Sequence, residues 1–142
     1  MAYWLCITDV KNWEIIQKKR IWGVSQRHVS KLMLTNVGDK LVFYVKQNPP
    51  ADPPTIRGIF EVVSKPFYEE KPIFKAPEDS NETYPWRVKI APIKTGYLEF
   101  KPLIKQLKFI KNKSSRGWGG HLMGKAMRPL PDEDFELINS LL

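Results

Sequence analysis

The chain has 142 residues, 42% of them hydrophobic, which suits one folded domain over residues 1–142 and excludes a disordered chain. Twenty-three Lys and Arg against fifteen Asp and Glu give a formal charge of +8, which favours anionic partners, nucleic acid before an acidic membrane surface. One cysteine excludes an internal disulfide, one Cys with two distant His argues against a protein-only zinc site, and no apolar run approaches the roughly 20 residues of a membrane span.

Tyr3 to Thr8 reads as a strand covered on both faces, with Trp4, Cys6 and Thr8 on one side and Tyr3, Leu5 and Ile7 on the other. The chain enters it without a basic region or a cleavage site, so no signal peptide is read and a cytoplasmic location is expected. Asp9 is an N-cap for a helix over Val10 to Arg20, with Val10, Trp13 and Ile16 as its apolar stripe. A loop is expected at Ile21 to His28. There Gly23 permits a bend, Ser25 caps the segment that follows, and Arg27 and His28 occupy its first turn. A tryptophan beside polar donors and a cation suits a flat, partly polar ligand such as a nucleobase. The competing reading is that Trp22 plugs a small core. Val29, Leu32 and Met33 mark a second short helix, with Arg27, His28 and Lys31 outside.

Gly38-Asp39 turns the chain into a strand over Lys40 to Lys46, and a Pro-rich loop over Asn48 to Pro54 leads to a strand over Ile56 to Val63. The two read as a hairpin, and Gly58 predicts a bulge or a close backbone approach. Ser64 to Pro85 is irregular, with four prolines among Phe67, Tyr68, Phe74 and Tyr84, and a loop that long is often functional. A strand over Trp86 to Ile93, a turn at Thr95-Gly96 and a helix opened by Lys101-Pro102 follow, the last with Leu103, Ile104, Leu107 and Ile110 as its stripe. Lys111 to Gly120 is a basic, Gly-rich loop in which Arg116 and Trp118 suit a phosphate and a base, or are merely mobile surface. Leu122 to Arg128 reads as a last strand, and Pro131 with three acids opens a C-terminal helix on which Phe135, Ile138 and Leu141 face inward. About six strands and four short helices without regular βα alternation give an α+β fold, a curved sheet or small barrel flanked by helices.

No Gly-rich phosphate loop occurs, so nucleotide hydrolysis and dinucleotide binding have no support. Cys6 reads as a buried structural thiol, Glu69-Glu70 as solvated surface, and Asp132 to Asp134 as a helix start. No catalytic carboxylate pair, cofactor site or metal site is read. What stands out is basic charge interleaved with aromatics, the chemistry of binding.

Tyr3-Trp4-Leu5, Trp22-Gly23-Val24, Gly38-Asp39-Lys40-Leu41-Val42-Phe43-Tyr44, Arg57-Gly58-Ile59-Phe60-Glu61-Val62, Arg87-Val88 and Pro131-Asp132-Glu133-Asp134-Phe135-Glu136 resemble, in order, the EVE domain over essentially the whole chain. That family is PUA-like and is similar to the YTH domain, which reads methylated adenine in RNA. The resemblance implies a small PUA-like β-barrel or sheet with a non-enzymatic aromatic pocket for a modified base in RNA or DNA. On the matching positions, Trp22 is the first wall of the cage and Gly23, Val24 and Ser25 line it. Thr8, Asp9 and Asn12 stand where the base edge is hydrogen-bonded, although Ile7-Thr8 departs from the Lys-Ser of related sequences. Phe74, Tyr84 and Trp86, from the long irregular segment, are candidates for the other wall of the cage, beside the Trp118 read from the Gly-rich loop. Lys125-Ala126 stands where YTH domains carry Arg-Asp, which keeps the cation, loses the acid, and leaves methylated cytosine or another base open beside adenine.

The leading expectation is therefore a monomeric nucleic-acid-binding module, with Arg27, Lys31, Arg116 and Lys125 on one rim as the phosphate grip. Two other classes stay open. An adaptor would recruit protein partners through the aromatic-rich Pro66 to Trp86 segment, and a small RNA-processing enzyme would bring Cys6 and His28 together in the pocket.

Overall fold

A computed structural model describes residues 1–48 and 52–142, so the loop expected over Asn48 to Pro54 lies partly outside the described residues. Among the described residues, seven strands make one mixed sheet. They are β1 (Tyr3–Thr8), β2 (Ile21–Val24), β3 (Lys40–Val45), β4 (Thr55–Val62), β5 (Phe67–Tyr68), β6 (Trp86–Glu99) and β7 (Met127–Pro129). Their order is β2-β6-β4-β3-β1-β7, with β5 also on β6. Only β1 and β3 pair in parallel, with Trp4 opposite Leu41 and Thr8 opposite Val45. The sheet curls into a half-barrel, the curved α+β sheet read from the sequence.

The core lies on both faces of the central strands. Trp4 and Cys6 of β1 join Leu41, Phe43 and Val45 of β3 in one cluster with Trp13 and Ile16, while Leu5 and Ile7 join Val42 and Tyr44 in the other. The alternation read from the sequence thus points each side chain to its expected face. Helix α1 (Val10–Lys19) starts where the Asp9 carboxylate accepts the Asn12 backbone N–H at 2.8 Å, and it ends on Arg20 in the left-handed conformation, φ 57°. Trp13 and Ile16 are its buried stripe. Gly58 is a close approach: a Cβ there would stand 2.6 Å from the Trp13 ring, and the strand register shifts beside it.

Several expected elements differ. β2 is a strand, not a loop: Trp22 pairs with Val88 and Gly23 with Arg87. Beyond it Ser25 makes no side-chain cap bond, and a 3₁₀ turn over Gln26–His28 leads into the one-turn α2 (Val29–Leu32), where Leu32 is buried but Met33 is exposed. Thr95-Gly96 is no turn. β6 runs through it, because bulges let β4 and β6 coil together, and Gly96 instead leaves room for Leu142.

The apolar stripe from Leu103 to Ile110 is buried as expected, but only Lys101–Leu103 is helical, and that as a 3₁₀ turn. The Lys113 ammonium donates to the carbonyls of Ile104, Leu107 and Ile110, and the buried Asp134 carboxylate accepts the N–H groups of Lys108 and Phe109. Side-chain groups, one nearby and one from the C-terminal helix, thereby replace helical bonds. A second 3₁₀ turn covers Trp118–His121, and residues 122 to 126 are turns, so β7 is shorter than the strand read over Leu122 to Arg128. Helix α3 (Asp132–Leu141) has the expected acidic first turn. Among the described residues no helix is long and apolar enough to cross a membrane.

Candidate functional site

The C-terminal ends of the parallel strands β1 and β3 lie side by side, where Lys46 N–H donates to the Thr8 carbonyl at 2.9 Å. A cavity of about 660 Å³ opens at this point. Ile7, Thr8 and Asp9 line it from β1, Asn12 and Ile16 from α1, and Trp22 to Ser25 from β2 and its end. Phe74 and Tyr84 form a wall from the irregular segment, and Trp118 and the turn over Leu122 to Ala126 form another.

Trp22 differs from the expected loop aromatic. Its neighbours on β6 and the edge of Phe43, centroids 5.5 Å apart, hold it in the core, and it is only 4% exposed. Its Nε1–H is buried and has no hydrogen-bond partner. Gly23 is needed for the opposite wall: a Cβ there would stand 2.7 Å from both the Phe74 ring and the Tyr84 carbonyl. Phe74 and Tyr84 meet edge to face, centroids 6.1 Å apart. Tyr84 has a left-handed backbone, φ 49°, unusual outside glycine. Two bonds fix that conformation, from Tyr84 N–H to the Glu82 carboxylate and from Arg87 Nε to the Tyr84 carbonyl.

Arg87 is what the sequence reading missed. Its side chain is wholly buried, and its guanidinium donates to the carbonyls of Lys71, Thr83 and Tyr84 and to the Glu69 carboxylate. It also lies 5.3 Å from the centre of the Phe74 ring. Glu69 is therefore an ion-pair partner, not merely solvated surface. The irregular aromatic segment is built around this one cation.

Asp9 and Asn12 reach the cavity but are partly committed. Asp9 caps α1, and the Asn12 side-chain amide bonds the backbone of Lys75 through both its oxygen and its nitrogen. Thr8 is buried, with its hydroxyl 3.5 Å from the Asp9 carbonyl. Burial first, then Glu82 and Asp9, push the Tyr84 phenol up. Burial first, then Arg27, push the His28 imidazole down, which favours its neutral form.

The rim is basic. Arg27, Lys46 and Lys125 are exposed and line the opening. Lys125 is placed there because the Ala126 carbonyl beside it accepts the Ile7 N–H, and Gly124, φ 73°, turns the chain next to the Arg27 guanidinium. Lys31 and Arg116 are exposed but do not line the cavity. Trp86 is also outside the lining; its Nε1–H donates to Gln26 and its ring packs against Tyr68. Trp118 does line it, backed by Phe100 at 5.6 Å. Tyr44, Lys46, Gln47, His28 and Met123 belong to the lining as well. Cys6 is fully buried, burial pushes its thiol well up, and it shares no hydrogen bond with His28.

Several known chains are similar to this one. A UPF0310 protein of Pyrococcus abyssi is 54% identical over the full length of both chains, and one of Saccharolobus solfataricus is 26% identical, covering all of this chain and 95% of that one. A crystal structure of a Pseudomonas putida protein superposes with a TM-score of 0.67 at 20% identity, covering 99% of each chain. The Mmi1 YTH domain superposes with a TM-score of 0.64 at 15% identity over 99% of this chain and 74% of that one. These two show the shared fold. The EVE domain profile matches residues 2–141, and the chain belongs to the EVE domain family.

Proposed function

We propose that this chain is a nucleic-acid-binding module, without catalysis of its own, whose cavity takes one modified nucleobase of RNA or DNA. The observation that carries the reading is a single concavity walled by Trp22, Phe74, Tyr84 and Trp118 and rimmed by Arg27, Lys46 and Lys125. Aromatic walls hold a flat ring, and cations at the mouth hold the phosphate that follows it. Thr8, the second carboxylate oxygen of Asp9 and His28 supply the remaining polar groups for a base edge.

The test is binding across single-stranded RNA and DNA oligonucleotides carrying N6-methyladenine, 5-methylcytosine or no modification. One modified probe is expected to bind more tightly than its unmodified twin, with affinity falling as salt rises. Equal binding of all probes removes the base pocket from the interface. Replacing Arg27 and Lys125 together by alanine is expected to weaken every probe about uniformly and to lower the salt slope by about 2. Replacing Lys31 and Arg116, which stand off the cavity, tests whether the grip extends beyond the rim.

A further inference from the structure

The irregular segment that supplies Phe74 and Tyr84 is attached to the rest of the fold at few points. Arg87 holds its two ends, through the Lys71 carbonyl on one side and those of Thr83 and Tyr84 on the other. Between these ends, among the described residues, the hydrogen bonds to the body of the fold are the pair made by Asn12. Asn12 Nδ2 donates to the Lys75 carbonyl at 2.9 Å, and Lys75 N–H donates to Asn12 Oδ1 at 2.7 Å. The side-chain amide thus pairs with the peptide as a neighbouring strand would. Lys75 follows Phe74 directly, and Phe74 packs on Gly23 with a ring 9% exposed. The latch therefore fastens the aromatic wall to the first turn of α1.

We infer that Asn12 is a positioning residue: its amide latches the backbone at Lys75 and holds Phe74 in place as a wall of the cavity. This rests on the base-binding reading above. A wall already ordered before binding spares the ligand the entropy of ordering it. Both latch bonds are solvent-exposed, so the latch opens more readily than the buried Arg87 anchor. Asn12 therefore acts on the ligand through Phe74 and not as a reader of the base edge.

Two measurements test this. In the protein without ligand, the Lys75 amide is expected to be protected from hydrogen exchange and to lose that protection in Asn12→Ala, while the amides of α1 keep theirs. The second is a double-mutant cycle read as affinity for single-stranded oligonucleotides carrying N6-methyladenine or 5-methylcytosine. Asn12→Ala is expected to weaken the better probe about tenfold in the native background and less than about twofold in a Phe74→Leu background. The same fold loss in both backgrounds makes Asn12 a direct ligand contact and overturns the inference. An unprotected Lys75 amide in the native protein overturns it too. If the native protein prefers neither modified probe to its unmodified twin, the base-binding reading falls and the role of the latch in it falls as well, even where exchange shows the latch closed.

Discussion

Trp22→Ala is expected to cost about 3–5 kcal/mol of folding stability, the range for deleting a core tryptophan. The ring is 4% exposed, packs on Phe43, and sits on a strand paired along its length with β6. Urea unfolding followed by circular dichroism measures the loss, and an unchanged midpoint would place the ring outside the core. Alanine at this position therefore confounds folding with binding. Trp22→Phe separates them, because it keeps an aromatic of smaller volume in the core and removes the unpaired Nε1–H. If Trp22 contributes to the cavity through that donor, Trp22→Phe weakens the preferred oligonucleotide while costing less than about 1.5 kcal/mol of stability. A stable Trp22→Phe protein with native affinity would leave Trp22 a purely structural residue behind the site.

Arg87→Met is expected to cost about 3 kcal/mol or more. Its guanidinium bonds three carbonyls and one carboxylate with no exposed surface of its own, so methionine leaves those carbonyls short of a donor. Arg87→Lys is expected to rescue little, since a point ammonium cannot reproduce the planar fork. Glu69→Gln is the control: that side chain is 48% exposed, and such a pair contributes about 0–1 kcal/mol. Denaturation midpoints of the three variants check the order. A mild Arg87→Met with a severe Glu69→Gln would mean that the ion pair, and not the carbonyl contacts, holds the segment. Limited proteolysis between Lys71 and Thr83 adds a local readout, because losing the anchor is expected to expose that stretch first.

Both variants bear on how the cavity is walled. Its walls come from opposite treatments of aromatics. Trp22 is fixed by strand pairing, whereas Phe74 and Tyr84 are fixed by hydrogen bonds to a segment with almost no regular structure. The first wall is as stable as the sheet. The second depends on two polar anchors, so changes in ligand affinity without loss of fold are expected to concentrate there.

The sequence by itself determined the elements whose signals are local. Alternation in Tyr3 to Thr8 and in Lys40 to Val45 assigned side chains to two core faces, and both faces are filled. The Asp9 cap and the Trp13 and Ile16 stripe set α1, the acidic turn set α3, and Gly58 marked the place where the backbone meets Trp13. Asp9 was legible for the same reason, as the cap of α1, and it lines the cavity. The tertiary structure alone decided the rest, because those facts depend on partners far along the chain. Parallel pairing of β1 with β3 brings Tyr44, Lys46 and Gln47 to the cavity, and no local pattern encodes that pairing. Asp134 takes up the backbone N–H groups of Lys108 and Phe109 from 26 and 25 residues away, which is why a helical spacing of apolar residues gave turns. Trp22 reads as a loop residue until β6 pairs with it, and Arg87 has no role in the sequence reading until four backbone and side-chain acceptors converge on it. A cation is stable in an interior only where such acceptors gather, and they gather only once the chain has folded.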